Sequence, residues 1–274
     1  MRIGNRDFDT NSECYVMGIL NFTPDSFSDG GRFNSIDKAL AHAEQMIDEG
    51  ADIIDIGGES TRPGFTRISD EEEIERVAPA IEAVKARFDI PVSIDTYKHR
   101  VAAAAVEAGA DLFNDICGLK HDSGEMAALI AKTGLPCCLM HNRDNMNYGC
   151  FMEDLLNDMR ETVEIAHKAG VKDDRIILDP GIGFAKSLAN NLEAIDRLDV
   201  LKNELGYPVL LGTSRKSVIG LTLELPSNQR VEGTIATTVV GVMRGAAFVR
   251  VHDVKENLRA VRMTQAIMRG YKRG

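Results

Sequence analysis

The sequence predicts an α/β protein folded as a (β/α)8 TIM barrel, a single domain over residues 1–274 with its barrel core at about 14–270. Three observations predict it. Short apolar runs alternate with amphipathic stretches along the whole chain, each run ends in a polar or charged residue, and 274 residues are what a barrel of about 250 residues uses up. A doubly wound open sheet is the competing arrangement. Consecutive βα units with right-handed crossovers close more naturally into a ring, and a ring gathers the side chains at its strand ends around one mouth.

The first strand is the apolar run from Tyr15, which breaks at Asn21. A polar, Gly-terminated stretch follows, and a helix over 35–50 places Ala39, Leu40, Ala43, Met46 and Ile47 on one stripe with Gly50 as its C-cap. ADIIDIGG is the second strand, and the loop ESTRPGFTR carries Glu59, Thr61, Arg62 and Arg67. Ser69 with Glu72 reads as a capping box that opens a helix to about Phe88. Then PVSIDT, LFNDI and PCCLMH are strands, separated by the helices KHRVAAAAVEAG and GEMAALIAKTG. NRDNMNYGCF (142–151) is longer than the roughly 2 to 6 residues of an ordinary βα connection, which marks a functional or mobile loop. Helix five covers about Met152 to Ala169, RIILDP, PVLLGTS and AFVRVHD are the last three strands, a sixth helix is expected between RIILDP and PVLLGTS, and helices near 229–244 and 254–268 bring the count to eight of each.

Composition removes several classes of function. A formal charge of −10 argues against nucleic acid or an anionic membrane as the main partner, while leaving room for a local cationic pocket. Five cysteines without CxxC spacing fit reduced thiols, MRIGNRDFDT has no apolar export segment, and no run reaches the ~18 apolar residues that span a bilayer. A cytoplasmic protein is expected. HExxH, GxSxG and zinc-type Cys/His spacings are all missing, so zinc hydrolysis and a serine triad have no support.

The strand ends supply Asn21, Asp55, Asp95, Asn114, Met140, Asp179, Lys216, Arg250 and His252. Arg250 and His252 share a strand face, and two readings stand for that pair: a common anion site, or a surface ion pair. Thr61, Arg62 and Lys216 at other strand ends favour a phosphate-like guest. Asp95, Asn114 and Asp179 terminate Val/Ile/Leu-rich strands, where a carboxylate is costly unless donors meet it. Such a set suits a flat heterocycle with adjacent N–H groups, whereas a single Asp there would more simply cap the next helix, worth ~1 kcal/mol. GTSRKS lacks Walker A spacing, and its helix N-terminus favours an anion such as a carboxylate. Cys137 and Cys138 read as core, and His141 as a satisfied structural histidine.

MGILNFTPDSFSDGG, DIIDIGGESTRPG, VSIDT, FNDI, ILDPGIGF, GTSRKS and RVHDV, in that order over nearly the whole chain, closely resemble the bacterial dihydropteroate synthase family. The resemblance implies a Mg2+-dependent transferase that joins 6-hydroxymethyl-7,8-dihydropterin diphosphate to p-aminobenzoate in folate synthesis, is the target of sulfonamides and is usually a homodimer. It implies a pterin site of Asp55, Asp95, Asn114, Met140, Asp179 and Lys216. Thr61, Arg250 and His252 would hold the diphosphate, and Asn21 its Mg2+. Phe27, Arg62, Pro63, Phe184 and Ser217 would shape the p-aminobenzoate pocket. Asp29, Arg62, Lys216, Arg250 and His252 would act in catalysis, with Asp29 holding the amine and shielding a pterin cation formed as diphosphate leaves. Thr23–Gly31 would form a lid that orders with the STRPG loop. The sequence MHNRDNMNYG departs from the family's usual loop after strand five, so contacts of residues 141–150 do not carry over. Two alternatives share the pterin cluster: a methyltransferase acting with a corrinoid protein, and a non-catalytic pterin-binding barrel.

Overall fold

Two short antiparallel strands, β1 (Arg2–Ile3) and β2 (Arg6–Asp7), open the chain. The structure, a computed structural model, describes residues 1–22, 31–59 and 67–270, with backbone alone for 31–35. After the hairpin come β3 (Tyr15–Asn21), α1 (Gly31–Asp48), β4 (Ile53–Gly57), α2 (Asp70–Arg87), β5 (Val92–Asp95), α3 (His99–Glu107), β6 (Leu112–Asp115) and α4 (Glu125–Thr133). The chain continues through β7 (Cys137–Met140), α5 (Phe151–Ala169), β8 (Ile176–Asp179), α6 (Leu188–Asp196), α7 (Leu198–Leu205) and β9 (Leu210–Leu211). It ends with α8 (Ser217–Leu223), α9 (Val231–Met243), β10 (Phe248–Val251) and α10 (Val254–Arg269).

Eight parallel strands pair in the order β8-β7-β6-β5-β4-β3-β10-β9, and a parallel bridge from Leu178 to Val209 joins the two ends. The ring is therefore closed, as the alternating pattern predicts, and every strand points its C-terminal end at the same mouth.

Alternation along the strands decides what lies inside. Met17, Ile53, Leu112, Cys138, Ile177, Leu210 and Phe248 form one buried apolar cluster with Ile3 and Phe8 of the N-terminal hairpin. This cluster plugs the lower barrel, with the Phe8 ring edge-on to Tyr15 at 4.7 Å and tilted against Phe248 at 5.8 Å. Two residues further along the same strands come Ile19, Asp55, Asn114, Met140, Asp179, Gly212 and Arg250, which the period of two places on the same inward face. On β5 the residue at that level is Asp95, paired in register with Gly57 on one side and Asn114 on the other. The residues between them, such as Ile54, Ile56, Val92 and Ile94, face outward and pack with Val77, Ile81 and Val84 of α2.

The helices differ from the expected eight: ten α-helices occur among the described residues, and α1 begins at Gly31 rather than near Ser35. The stretch after β8 splits at Arg197, whose φ of −107° and ψ of 28° leave the helical region. Pro226, which cannot continue a helix, separates α8 from α9. The expected strand PVLLGTS shortens to Leu210–Leu211 because Gly212 to Ser214 turn away toward Lys216. Ser69 caps α2 as read, its side chain accepting the Glu72 N–H at 3.1 Å. Among the described residues no helix is long and apolar enough to cross a membrane.

Candidate active site

The inward polar level holds a buried ion-pair triad. Arg250 donates from Nε to Asp55 Oδ2 and from Nη2 to Asp95 Oδ2, both at 2.6 Å, so one guanidinium from β10 spans β4 and β5. Asn114 Nδ2 donates to the same Asp55 oxygen at 3.2 Å. Asp55 is fully buried and Asp95 nearly so, yet Oδ1 of each carboxylate, and Ser93 Oγ opposite Asp55 in register, have no hydrogen-bond partner. Burial, opposed by Arg250 and reinforced by the Asp55 charge, pushes the Asp95 carboxyl up to about 7, while the two carboxylates hold the Arg250 guanidinium firmly charged against its burial.

Across the barrel, Asp179 ends β8 and turns Oδ1 onto the Gly181 N–H at 2.7 Å. Burial raises the Asp179 carboxyl against the pull of Lys216. Lys216 precedes α8, donates from Nζ to Ile182 O at 2.7 Å and lies 5.0 Å from the centre of the Phe184 ring. Burial pushes its ammonium down to about 8, opposed by Asp179. A Cβ on Gly212 would sit 3.7 Å from Asp179 Oδ2, 3.7 Å from Lys216 Nζ and 3.9 Å from Arg250 Cβ. The glycine therefore stands among all three groups, and a side chain there would fill their shared space.

The structure thus brings Asp55, Asp95, Asn114, Asp179, Lys216 and Arg250 together, with Met140 buried at the same level beside Asp179 in register. Phe184 is half-buried against Lys216, and Ser217 is exposed at the start of α8. His252, one residue past β10, holds its ring against Ser214, with Nδ1 3.0 Å from Oγ while the His252 backbone N–H donates to the same oxygen at 3.1 Å. Asn21 ends β3 half-exposed, opposite Gly57 in register. Phe27, Asp29, Thr61, Arg62 and Pro63 lie outside the described residues, as does the expected lid Thr23–Gly31 except for Gly31, which opens α1.

The stems of the second of those segments are firmly held. Lys98 Nζ donates to Glu59 Oε2, Glu73 Oε2 and Ile68 O, each at 2.8 Å. Glu59 also accepts from the Ile68 N–H at 2.9 Å and from the Tyr97 hydroxyl at 2.8 Å. Where the chain leaves β4 and where it re-enters before α2 are thereby tied to each other. Sequence reasoning noted Glu59 as a loop residue and passed over Lys98, Ser214 and Lys186, each a polar residue beside a strand end whose partner is distant in sequence.

His141 is the structural histidine the sequence suggests, with both ring nitrogens occupied: Nε2 lies 2.8 Å from Asp158 Oδ2, and Nδ1 accepts from Lys186 Nζ at 2.8 Å. Cys137 and Cys138 are buried core residues whose thiols burial raises well above the ordinary range.

Comparison with known proteins follows the same lines. The family described as pterin binding enzyme matches residues 17–252, most of the chain and all of the barrel strands but the first two residues of β3. The chain belongs to the pterin-binding enzyme family. Within it, the chain is 63% identical to a dihydropteroate synthase of Clostridium beijerinckii, over 98% of this chain and 100% of that one. A dihydropteroate synthase structure from Clostridium difficile, solved in the presence of pteroic acid, superposes with a TM-score of 0.93 at 52% identity, covering 96% of this chain and 100% of that one. A Yersinia pestis dihydropteroate synthase in a sulfonamide drug complex gives a TM-score of 0.92 at 43% identity, covering 98% and 99%. The pterin-binding barrel in these relatives and in this chain is one fold.

The raised Asp95 carboxyl has a consequence for stability. Its value in the folded, ligand-free protein lies above the ordinary 3.8, so the folded state binds its proton more tightly. The contribution is full below about pH 4 and lost as pH rises through about 7. Asp95→Asn cannot titrate, so it gains on the wild type over that window by about 1 kcal/mol or more. Urea unfolding at about pH 4 and about pH 8 reads the change, and a stability gap that does not vary with pH would contradict it.

Proposed function

We propose that this pterin-binding enzyme condenses 6-hydroxymethyl-7,8-dihydropterin diphosphate with p-aminobenzoate, giving 7,8-dihydropteroate and diphosphate. The observation that carries the reading is the buried carboxylate pair with one unpartnered oxygen on each member, in a chain 63% identical over its length to a dihydropteroate synthase. A pterin edge offers adjacent N–H groups, and a buried carboxylate accepting them completes bonds that the barrel leaves unmade.

The roles follow from position. Asp95, Asp55 and Asn114 take one edge of the pterin, and Asp179 with Lys216 takes the other. Arg250 keeps the Asp55 and Asp95 charges tolerable and has Nη1 left to aim at the diphosphate. His252, oriented by Ser214, adds a second donor at that end of β10. The arylamine is itself the nucleophile, so the missing serine, cysteine or strong base is not a defect. Catalysis is then electrostatic, with cationic groups meeting charge that develops on the departing diphosphate. Phe184, beside Lys216, forms one wall for the p-aminobenzoate ring, and Ser217 at the α8 terminus meets its carboxylate.

Magnesium fits as an ion carried by substrate. Among the described residues no group of three His, Cys, Asp or Glu side chains gathers to cage a metal. The donor at the β3 end is the neutral amide oxygen of Asn21, a hard ligand of the kind Mg2+ takes alongside substrate phosphates. When bound there, the ion supplies positive charge to the diphosphate.

A sulfonamide, as a p-aminobenzoate mimic, would occupy the Phe184 side of the site. Free thiols at all five cysteines suit a reducing compartment, and we place the enzyme in the cytoplasm; an exported pool on cell fractionation would contradict that. Incubation with dihydropterin diphosphate, Mg2+ and labelled p-aminobenzoate should yield labelled dihydropteroate, and Lys216→Ala should lower kcat/KM by about hundredfold. No labelled product at any enzyme concentration would end the synthase reading.

A homodimer through α9 and α10 belongs to the same proposal. The two helices are tied by a buried Thr238 Oγ1 to Asn257 Oδ1 hydrogen bond of 2.7 Å, while Val240, Met243, Met263 and Ile267 stand exposed on their outer face. A second copy covering that face buries them. Light scattering should show a dimer that Met243→Glu with Ile267→Glu converts to monomer, and a monomeric wild type at micromolar concentration would refute it.

A further inference from the structure

The loop after β7 is wired into the turn that carries Phe184. His141 N–H donates to Asp179 O at 2.8 Å, extending the β7–β8 pairing one residue past Met140. A Cβ on Gly181 would lie 2.0 Å from His141 O, so the two backbones touch where both strands end, and only glycine fits. Beyond that contact, Lys186 Nζ donates both to His141 Nδ1 at 2.8 Å and to Phe184 O at 3.1 Å. His141 Nε2 meets Asp158 Oδ2 at 2.8 Å, and Arg143 holds the same carboxylate through Nε and through Nη2 at 3.0 Å. Arg143 Nη1 donates to Asn147 O at 2.9 Å, its guanidinium covers the Tyr148 ring at 4.5 Å, and the Tyr148 hydroxyl donates to Ala185 O at 3.0 Å.

Both branches of this network end on the backbone beside Phe184. They are needed there. Ala185 has φ of +45°, a left-handed conformation that costs a residue with a Cβ roughly 1 kcal/mol or more. The near half of the turn is held from elsewhere, by Asp179 on the Gly181 N–H and by Asn191 Oδ1 on the Gly183 N–H at 2.6 Å. The far half, from Phe184 to Lys186, is tied by the Phe184 N–H to Gly181 O at 3.1 Å and by Asn191 Nδ2 to Lys186 O at 3.2 Å, and the β7 side adds its two bonds to Phe184 O and Ala185 O. His141 and Lys186 are both buried, so their bond is sheltered from water and strong.

We infer that His141 and Lys186 are positioning residues that, together with Arg143, Tyr148 and Asp158, fix Phe184 and make the loop after β7 a determinant of the arylamine subsite. The inference rests on the assignment of Phe184 to the p-aminobenzoate wall. A different loop after β7 would brace the same turn differently and tune recognition of p-aminobenzoate and its mimics. Neither residue touches the reacting atoms.

Lys186→Met keeps the aliphatic stem and removes the donors, while Tyr148→Phe removes only the bond to Ala185 O. At saturating dihydropterin diphosphate and Mg2+, Lys186→Met should raise KM for p-aminobenzoate by about tenfold and Tyr148→Phe by about threefold. Calorimetric titration of dihydropterin diphosphate should stay within about twofold of wild type for both. The double variant should fall short of the product of the singles, because both bonds hold one turn. Loss confined to KM for p-aminobenzoate separates positioning from general loosening, which would weaken both substrates alike. Unchanged KM in a folded Lys186→Met, or equal loss for both substrates, would overturn the inference. Should Lys186→Met not fold, Tyr148→Phe alone decides by the same two measurements. A wild type that forms no dihydropteroate would instead bring down the functional reading, and this inference with it.

Discussion

One guanidinium that reaches from β10 to carboxylates on β4 and β5 sets the terms for the rest of the barrel mouth. Asp55 is completely buried, and leaving either carboxylate without a counter-charge would cost several kcal/mol. Arg250 offsets part of that cost and satisfies only one oxygen of each. The half-made set explains why the site calls for a ligand. Each unpartnered buried oxygen carries a penalty of about 1 to 3 kcal/mol that an incoming N–H relieves, so recognition draws on a deficit already present in the ligand-free fold.

The barrel supplies that arrangement by parity. Because alternate strand residues share a face, an apolar plug at one level fixes an inward polar level two residues on. Ile53 leads to Asp55, Leu112 to Asn114, Ile177 to Asp179 and Phe248 to Arg250. Leu210 leads to Gly212, whose lack of a side chain leaves the space in which Asp179, Lys216 and Arg250 approach one another. The N-terminal hairpin contributes from below: Ile3 and Phe8 close the barrel floor, so the level above rests on a packed base.

Much of this was legible in the chain. Each strand showed itself as an apolar run with a polar end, and the polar ends named the groups that now face one another. Other features were not, for physical reasons. Ile3 and Phe8 are two apolar residues in a polar stretch, too few to show a period, and their burial comes only from the barrel beneath which they fold. The split at Arg197 and the short helix before Pro226 are local departures inside otherwise continuous patterns. Arg250 reads, with His252, as a shared anion site or a surface ion pair; the carboxylates that hold it in the ligand-free fold, Asp55 and Asp95, are far away in sequence and brought near by ring closure. His141 reads as a satisfied structural histidine, but its partner Lys186 is not legible, since it sits in no spaced motif and their bond spans 45 residues. Phe27, Asp29, Thr61, Arg62 and Pro63 fall outside the described residues.

The pterin role of the half-satisfied carboxylates can be measured directly by titrating dihydropterin diphosphate into Asp95→Asn and the wild type by calorimetry near neutral pH, with cooperative unfolding checked for both. If Asp95 accepts the pterin N–H groups on its unpartnered oxygen, a folded Asp95→Asn should bind about a hundredfold more weakly. An affinity within about twofold of wild type would contradict it.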